Sequence, residues 1–129
     1  MLAGRLTDRA GSSAYLLGGL VVYSNEAKHD LAGVDAGLIQ RVGAVSAEVA
    51  EELAAGARRR VGTDIGVGIT GIAGPGGGTP VKPVGLVYLC ASTADRTVAR
   101  RIVVPGTRAD VRARTVVIAL HMVRELLGI

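Results

Sequence analysis

Between two apolar runs, DIGVGIT (64–70) and VGLVYLCAS (84–92), the chain places GIAGPGGGTPVKP. The stretch TGIAGPGGG holds five glycines and a proline in nine residues, a density that the interior of a helix or strand does not tolerate. The first run therefore reads as a strand ending in a loop, and the second as a new strand. TVARRIVVP follows after a short turn at Ala94-Asp95-Arg96, so the last two runs read as an antiparallel hairpin. The nineteen glycines, about twice the usual share, cluster rather than repeat. That clustering points to tight turns and excludes collagen-like or linker character.

Helical patterns surround these strands. Residues 1–7 read as the tail of a helix, with Leu2 and Leu6 four apart, stopped by the turn cluster DRAGSS. YLLGGLVVY (15–23) reads as a buried strand in which Gly18 and Gly19 mark a bulge or a close backbone approach. A short helix is expected from there through Lys28 to about Leu31, closed by Gly33. In SAEVAEELAAGARRRVG, Ser46 is a good N-cap, Glu48 and Glu51 lie near the positive helix end, and Gly62 terminates the run. Val49, Leu53 and Ala57 form its apolar stripe. The last helix is expected over Arg108 to Leu127, with Val111, Thr115, Ile118, Met122 and Leu126 on one side and Gly128 as its cap.

Helices alternating with strands, plus one hairpin, predict a single α/β domain over 1–129, a mixed sheet with helices on both faces. Such sheets collect ligands at the carboxyl ends of their strands. The exits after Val22 and after Ile69 are polar or glycine-rich, and a site is expected where they meet.

With no Phe or Trp and three Tyr, Val, Leu, Ile and Ala must fill the core. A net charge of +4 suits an anionic partner, but the lack of stacking aromatics among the basic residues argues against nucleic acid. Arg58-Arg59-Arg60 read as a solvated helix end. No run approaches the roughly 20 apolar residues of a membrane span, and MLAGRLTDRAGSS lacks the apolar core of a signal peptide. The lone Cys90, in an apolar run, forms no internal disulfide and reads as a buried, inert thiol. A soluble cytoplasmic protein is expected. His29 and His121 are too isolated to suggest a metal site, so none is expected.

Three stretches carry chemistry. The glycine-rich loop after Ile69, with Thr70 beside it, is either an anion-binding concavity of exposed N–H groups or simply a tight connection. YSNEAK (23–28) offers a hydroxyl, an amide and an amine. Its lysine is either a base with lowered pKa at a partly buried strand end or an exposed surface group. In GTRADVRAR, Asp110 suits the helix start while Arg108 and Arg112 oppose the dipole, so these arginines either meet a docked anion or lie on the surface.

Taken together, RLTDRAGSSAYLLGGLVVYSNEAK, GAVSAEVAEELAAGA, GITGIAGPGGGTPVKPVGLVY and PGTRADVR resemble the CinA C-terminal domain family, the nicotinamide mononucleotide deamidases. The similarity runs in register from about Gly4 to the last helix. It implies a three-layer α/β/α fold, usually a homodimer, and no cofactor. It also implies hydrolysis of the carboxamide of nicotinamide mononucleotide (NMN) to nicotinate mononucleotide and ammonia, in pyridine-nucleotide recycling. The family pairs a serine nucleophile with a lysine base, a variant of acyl-transfer chemistry. By resemblance, Lys28 matches that base, and Tyr23, Ser24 and Asn25 match the pocket wall. Thr70 and Gly71 match the loop beside the substrate, and Arg112 matches a basic residue near the phosphate.

The chain also departs from the family. Members carry a Glu-Ser-Cys-Thr-Gly-Gly segment, holding the nucleophile, just before the helix that this chain enters at Met1. No serine here occupies that context: Ser12 and Ser13 belong to the GSS turn, and Ser24 to YSNEAK. The strand before that segment is unmatched as well, so the domain reads as N-terminally truncated relative to the family. Either the chain starts at an internal methionine of a longer product or it is a shortened, inactive relative. The expected consequences are loss of covalent catalysis and an open sheet edge or an uncovered apolar seam. Three functions follow: the family amidohydrolase, incomplete as written; a nucleotide binder without turnover; or a structural subunit.

Overall fold

The computed structural model describes residues 1–129. In chain order it contains α1 (Leu2–Leu6), a single 3-10 turn at Ser12–Ala14, α2 (Asn25–Ala32), α3 (Ala36–Val42), α4 (Ala47–Val61), β1 (Gly66–Gly71), β2 (Leu86–Ser92), β3 (Thr97–Val103) and α5 (Arg108–Leu127). The sheet order is β1-β2-β3, with Gly68 opposite Cys90 and Cys90 opposite Ala99. At the hairpin turn the Thr93 hydroxyl accepts from the N–H groups of Asp95 and Arg96.

Alternation along β2 sorts the two faces. Val87, Leu89 and Ala91 face α5 and share a core with Val111, Ala119, Met122 and Leu126. Cys90 faces the other way and packs with Ala50 and Ala54 of α4. A third cluster joins Ala32, Val34 and Ile39 to Val49 and Leu53 on the flank of α4. The domain is thus α/β in three layers, with α2, α3 and α4 on one side of the sheet and α5 on the other.

Local chemistry explains the two long helices. The Ser46 side chain accepts from the Val49 N–H, and Gly62, left-handed at φ +73°, closes α4. Thr107 opens α5 with a capping box: its hydroxyl accepts from the Asp110 N–H while the Asp110 carboxylate accepts from the Thr107 N–H. Those bonds from the Thr107 backbone and hydroxyl hold the Asp110 carboxyl below its ordinary pKa. Cys90 is buried, and that burial, with a smaller contribution from Glu51, pushes its thiol up to about 11, where it stays protonated and inert.

One expectation needs correction. The sheet is antiparallel throughout rather than mixed, because the expected strand over 15–23 does not pair. That segment is extended, yet from Leu17 to Tyr23 no backbone group bonds another backbone group. Its side chains keep a strand's period of two: Leu20 and Val22 pack against the α2–α4 cluster, while Tyr15, Leu17, Val21 and Tyr23 are exposed. Periodicity reports which side chains face the core, not whether a neighbour completes the ladder. The outer edge of β1 is likewise unpaired. Between α2 and α4 lies α3, a helix of seven residues capped by Asp35, too short to show a periodic stripe and so not expected from the sequence. No helix is long and apolar enough to cross a membrane.

The contact between α4 and β1 depends on glycine. A Cβ at Gly66 would overlap the Ala54 carbonyl, and one at Gly68 the Ala50 carbonyl, so the helix lies directly on the strand backbone. Gly68→Ala should therefore lower unfolding free energy by about 1–3 kcal/mol. Gly4→Ala, in α1 with open space around the site, should lower it not at all. Urea denaturation of the two variants beside the wild type measures both.

Candidate functional site

Ser24 ends the extended segment and starts α2, its side chain accepting from the Ala27 N–H at 3.0 Å. One turn later Lys28 points back beneath the segment and is 7% exposed. Its Nζ donates to the Val22 carbonyl at 3.0 Å and to the Tyr23 carbonyl at 3.4 Å. Both acceptors are free for it because the segment forms no ladder. Lys28 is in none of the ion pairs of the fold, which are Arg5–Asp8, Arg41–Asp35 and Arg100–Glu125. Burial without a compensating charge lowers its pKa. Asn25 is exposed in the first turn of α2, and Tyr23 presents its ring to solvent while its carbonyl meets the lysine.

A second group forms at the end of β1. Thr70 is buried on the α4 side, where its hydroxyl donates to the Ala44 carbonyl at 2.8 Å. Gly71, the next residue, faces the α5 side and borders a cleft of about 270 Å³ with Ile69, Ala73, Met1, Val111 and Arg112. Arg112 carries the only charged side chain lining this largely apolar cleft. A hollow of that kind suits a flat apolar ring carrying an anionic group, the ring against the aliphatic walls and the anion at the guanidinium.

The structure therefore brings Gly71 and Arg112 together at one cleft, and Tyr23, Ser24 and Lys28 together at one turn. Thr70 points away from the cleft that its neighbour lines, because consecutive strand residues face opposite sides. Both groups lie at the same end of the molecule, but they do not meet in one hollow as expected from the sequence: none of Tyr23, Ser24, Asn25, Lys28 and Thr70 lines the cleft. Gly18 rests on Val61 near the end of α4, and Leu20 and Val22 pack on the cluster containing Leu53 and Val49, so the segment runs towards the start of α4. β1 runs the same way, from Gly66 near Ala54 to Thr70 at Ala44.

Two further cations bear on the loop. Lys82 donates from Nζ to the Val42 carbonyl at 2.7 Å, and Arg108 donates from Nη1 to the Gly74 carbonyl at 3.0 Å. Arg108 stood out in the sequence as a cation at a helix start. Lys82 had only a faint signal, a lone lysine in a loop of glycine and proline. His29 is occupied locally, its Nδ1 lying 2.8 Å from the Val34 carbonyl. The fold contains no group of three or more His, Cys, Asp or Glu side chains arranged to hold a metal ion.

A family model described as the CinA C-terminal domain matches residues 1–127. A CinA-like protein of Mycolicibacterium vanbaalenii is 59% identical over 128 residues, covering 98% of this chain and 30% of that protein. A CinA-like protein of Mycobacterium tuberculosis is 52% identical over 129 residues, covering 99% of this chain and 30% of that protein. The chain thus spans about 30% of the length of these relatives. Among solved structures, the competence/damage inducible protein CihA from Agrobacterium tumefaciens superposes with a TM-score of 0.94 at 41% identity, over 97% of this chain and 77% of that one. The competence damage-inducible protein A from Klebsiella pneumoniae gives a TM-score of 0.93 at 31% identity, over 98% of this chain and 79% of that one. With residues 1–127 matched by the family model, the chain belongs to the CinA C-terminal domain family.

Proposed function

We propose that this chain carries the base and the substrate-binding wall of a nicotinamide mononucleotide amidohydrolase. The observation that carries the reading is Lys28, a buried amine without a carboxylate partner, its pKa lowered by burial, held at the end of the molecule where the glycine-rich loop begins. A lysine in that state gives up its proton more readily than a solvated one and can serve as a general base. The cleft bordered by Gly71 and Arg112 receives the nucleotide, with Arg112 on the phosphate. Tyr23, Ser24 and Asn25 form the polar surround of the reacting carboxamide, while Thr70, its hydroxyl bonded to the Ala44 carbonyl, fixes the start of the loop rather than touching substrate.

In the reaction, a serine hydroxyl adds to the carboxamide carbon while the neutral Lys28 amine takes the hydroxyl proton. The C–N bond then breaks, the lysine returns that proton to the departing nitrogen, and ammonia leaves. Water attacks the resulting ester, with Lys28 again taking a proton, and nicotinate mononucleotide is released with the serine restored. Within this chain no hydroxyl is hydrogen-bonded to Lys28, whose partners are both carbonyls, and the Ser24 hydroxyl is engaged as a helix cap. The chain by itself therefore binds the nucleotide, and turnover requires the family's serine-bearing segment.

Calorimetry and an ammonia assay test this directly. The chain should bind NMN without releasing ammonia, and Arg112→Ala should weaken binding about tenfold, from the typical strength of a hydrogen bond made by a charged donor. The chain fused to the serine-bearing segment of a relative should release ammonia, and Lys28→Met in that fusion should cut the rate by about 10²–10⁴. A fusion that binds NMN but never releases ammonia sinks the amidohydrolase reading.

The lysine also sets a pH signature. The rate of the fusion should rise with pH as Lys28 loses its proton, with a midpoint below the ordinary lysine value of 10.5. Stability should move the same way. Between the lowered folded pKa and the unfolded value near 10.5, the unfolded chain holds more protons than the folded one, so folded stability rises with pH across that window. Lys28→Met should flatten that rise in denaturation curves recorded from neutral pH upwards.

A further inference from the structure

The glycine-rich loop from Ile72 to Gly85 is secured by main-chain bonds only at its base and at one turn. At the base the Ile72 N–H donates to Leu86, the Gly85 N–H to Ile72, the Leu86 N–H to Pro83 and the Val104 N–H to Gly85. At the turn the Thr79 N–H donates to Lys82. From Ala73 to Gly78 no backbone group bonds another backbone group. A stretch of that composition has much conformational freedom to lose, and glycine loses the most. Yet Gly74 is buried, left-handed at φ +80° and packed so closely on Val84 that an added Cβ would overlap a valine methyl. Something other than the backbone ladder holds it there.

Two cationic side chains tie the loop to opposite layers. Arg108, the first residue of α5, donates to the Gly74 carbonyl at 3.0 Å. Lys82 donates from within the loop to the carbonyl of Val42, the last residue of α3, at 2.7 Å. Neither cation is in an ion pair with a carboxylate, and the nearby Asp110 is engaged with Thr107. Each bond has a charged donor and a neutral acceptor, so each is stronger than an ordinary amide bond. Arg108 also lies four residues before Arg112, on the same side of α5. The tether on the loop and the cation in the cleft therefore share one helical turn.

We propose that Arg108 and Lys82 are positioning residues that clamp the glycine-rich loop between α5 and α3, holding Gly71 and Ala73 opposite Arg112 in the shape that admits the nucleotide. The clamp rests on geometry alone; its role in binding rests on the reading of the cleft as the nucleotide site.

Exchange of the hydrogen-bonded loop amides of Ile72, Thr79, Lys82 and Gly85, with calorimetric titration with NMN, on the wild type, Arg108→Ala, Arg108→Lys and Lys82→Ala, tests both parts. Loop exchange should quicken about tenfold in each alanine variant, while the amides of β2 and α5 keep wild-type protection. Arg108→Lys should restore the loop. NMN affinity should fall about tenfold with alanine at 108 and return with lysine. Wild-type loop exchange in either alanine variant overturns that residue's part in the clamp. Faster exchange spread through β2 and α5 overturns it as well, because the effect is then global. A loosened loop with unchanged NMN affinity overturns the positioning role. If the wild type takes no NMN, the proposed function falls while the exchange comparison still decides the clamp.

Discussion

Helix α4 lies on β1 backbone to backbone, because Gly66 and Gly68 present no Cβ to the carbonyls of Ala54 and Ala50. The same device recurs on the helix's other flank, where Gly56 lets the end of α2 settle against it through the Ala32 carbonyl. Side chains of ordinary size would hold the helix farther from the sheet. Here small residues bring them closer, and Ala50, Ala54 and Cys90 fill what remains. With α4 seated this way, its start falls at the end of β1, where Thr70 can reach Ala44. Its flank supplies Val49 and Leu53 as the bed for α2 and the extended segment. The placement of both halves of the candidate site follows from that close approach.

The lysine owes its state to a strand that is not one. In a paired strand the carbonyls of Val22 and Tyr23 would accept ladder bonds from a neighbour. Unpaired, they turn to the ammonium of Lys28, which places two of its three donors on them without a carboxylate to stabilise its charge. Hydrogen bonds keep the amine in place, and burial favours its neutral form. Position and basicity therefore arise from separate causes, an arrangement well suited to a proton acceptor.

Much of the fold was legible in local signals. Ser46 and Gly62 bracket α4, Gly128 ends α5, and the hairpin announces itself as two apolar runs around Ala94-Asp95-Arg96. These elements carry their own caps and periods, so no distant partner is needed to find them. The candidate residues were legible as types at strand exits. Their grouping was not: Thr70 and Gly71 are neighbours in sequence, yet one meets α4 and the other the α5-side cleft. The loop clamps were hidden for a similar reason, since Lys82 and Val42 lie forty residues apart.

The sequence by itself determined the class of the domain, the ends of its longer helices, its antiparallel hairpin, and the family to which the YSNEAK stretch and the glycine-rich loop belong. Those properties are local, encoded in periodicity, capping and residue type. Only the tertiary structure decided that residues 15–23 stay unpaired, that Lys28 is buried against their carbonyls, and that Arg112 faces the apolar cleft beside Gly71. Strand pairing, burial and the convergence of side chains depend on which distant surfaces meet, and a one-dimensional pattern of apolar and polar residues does not specify that.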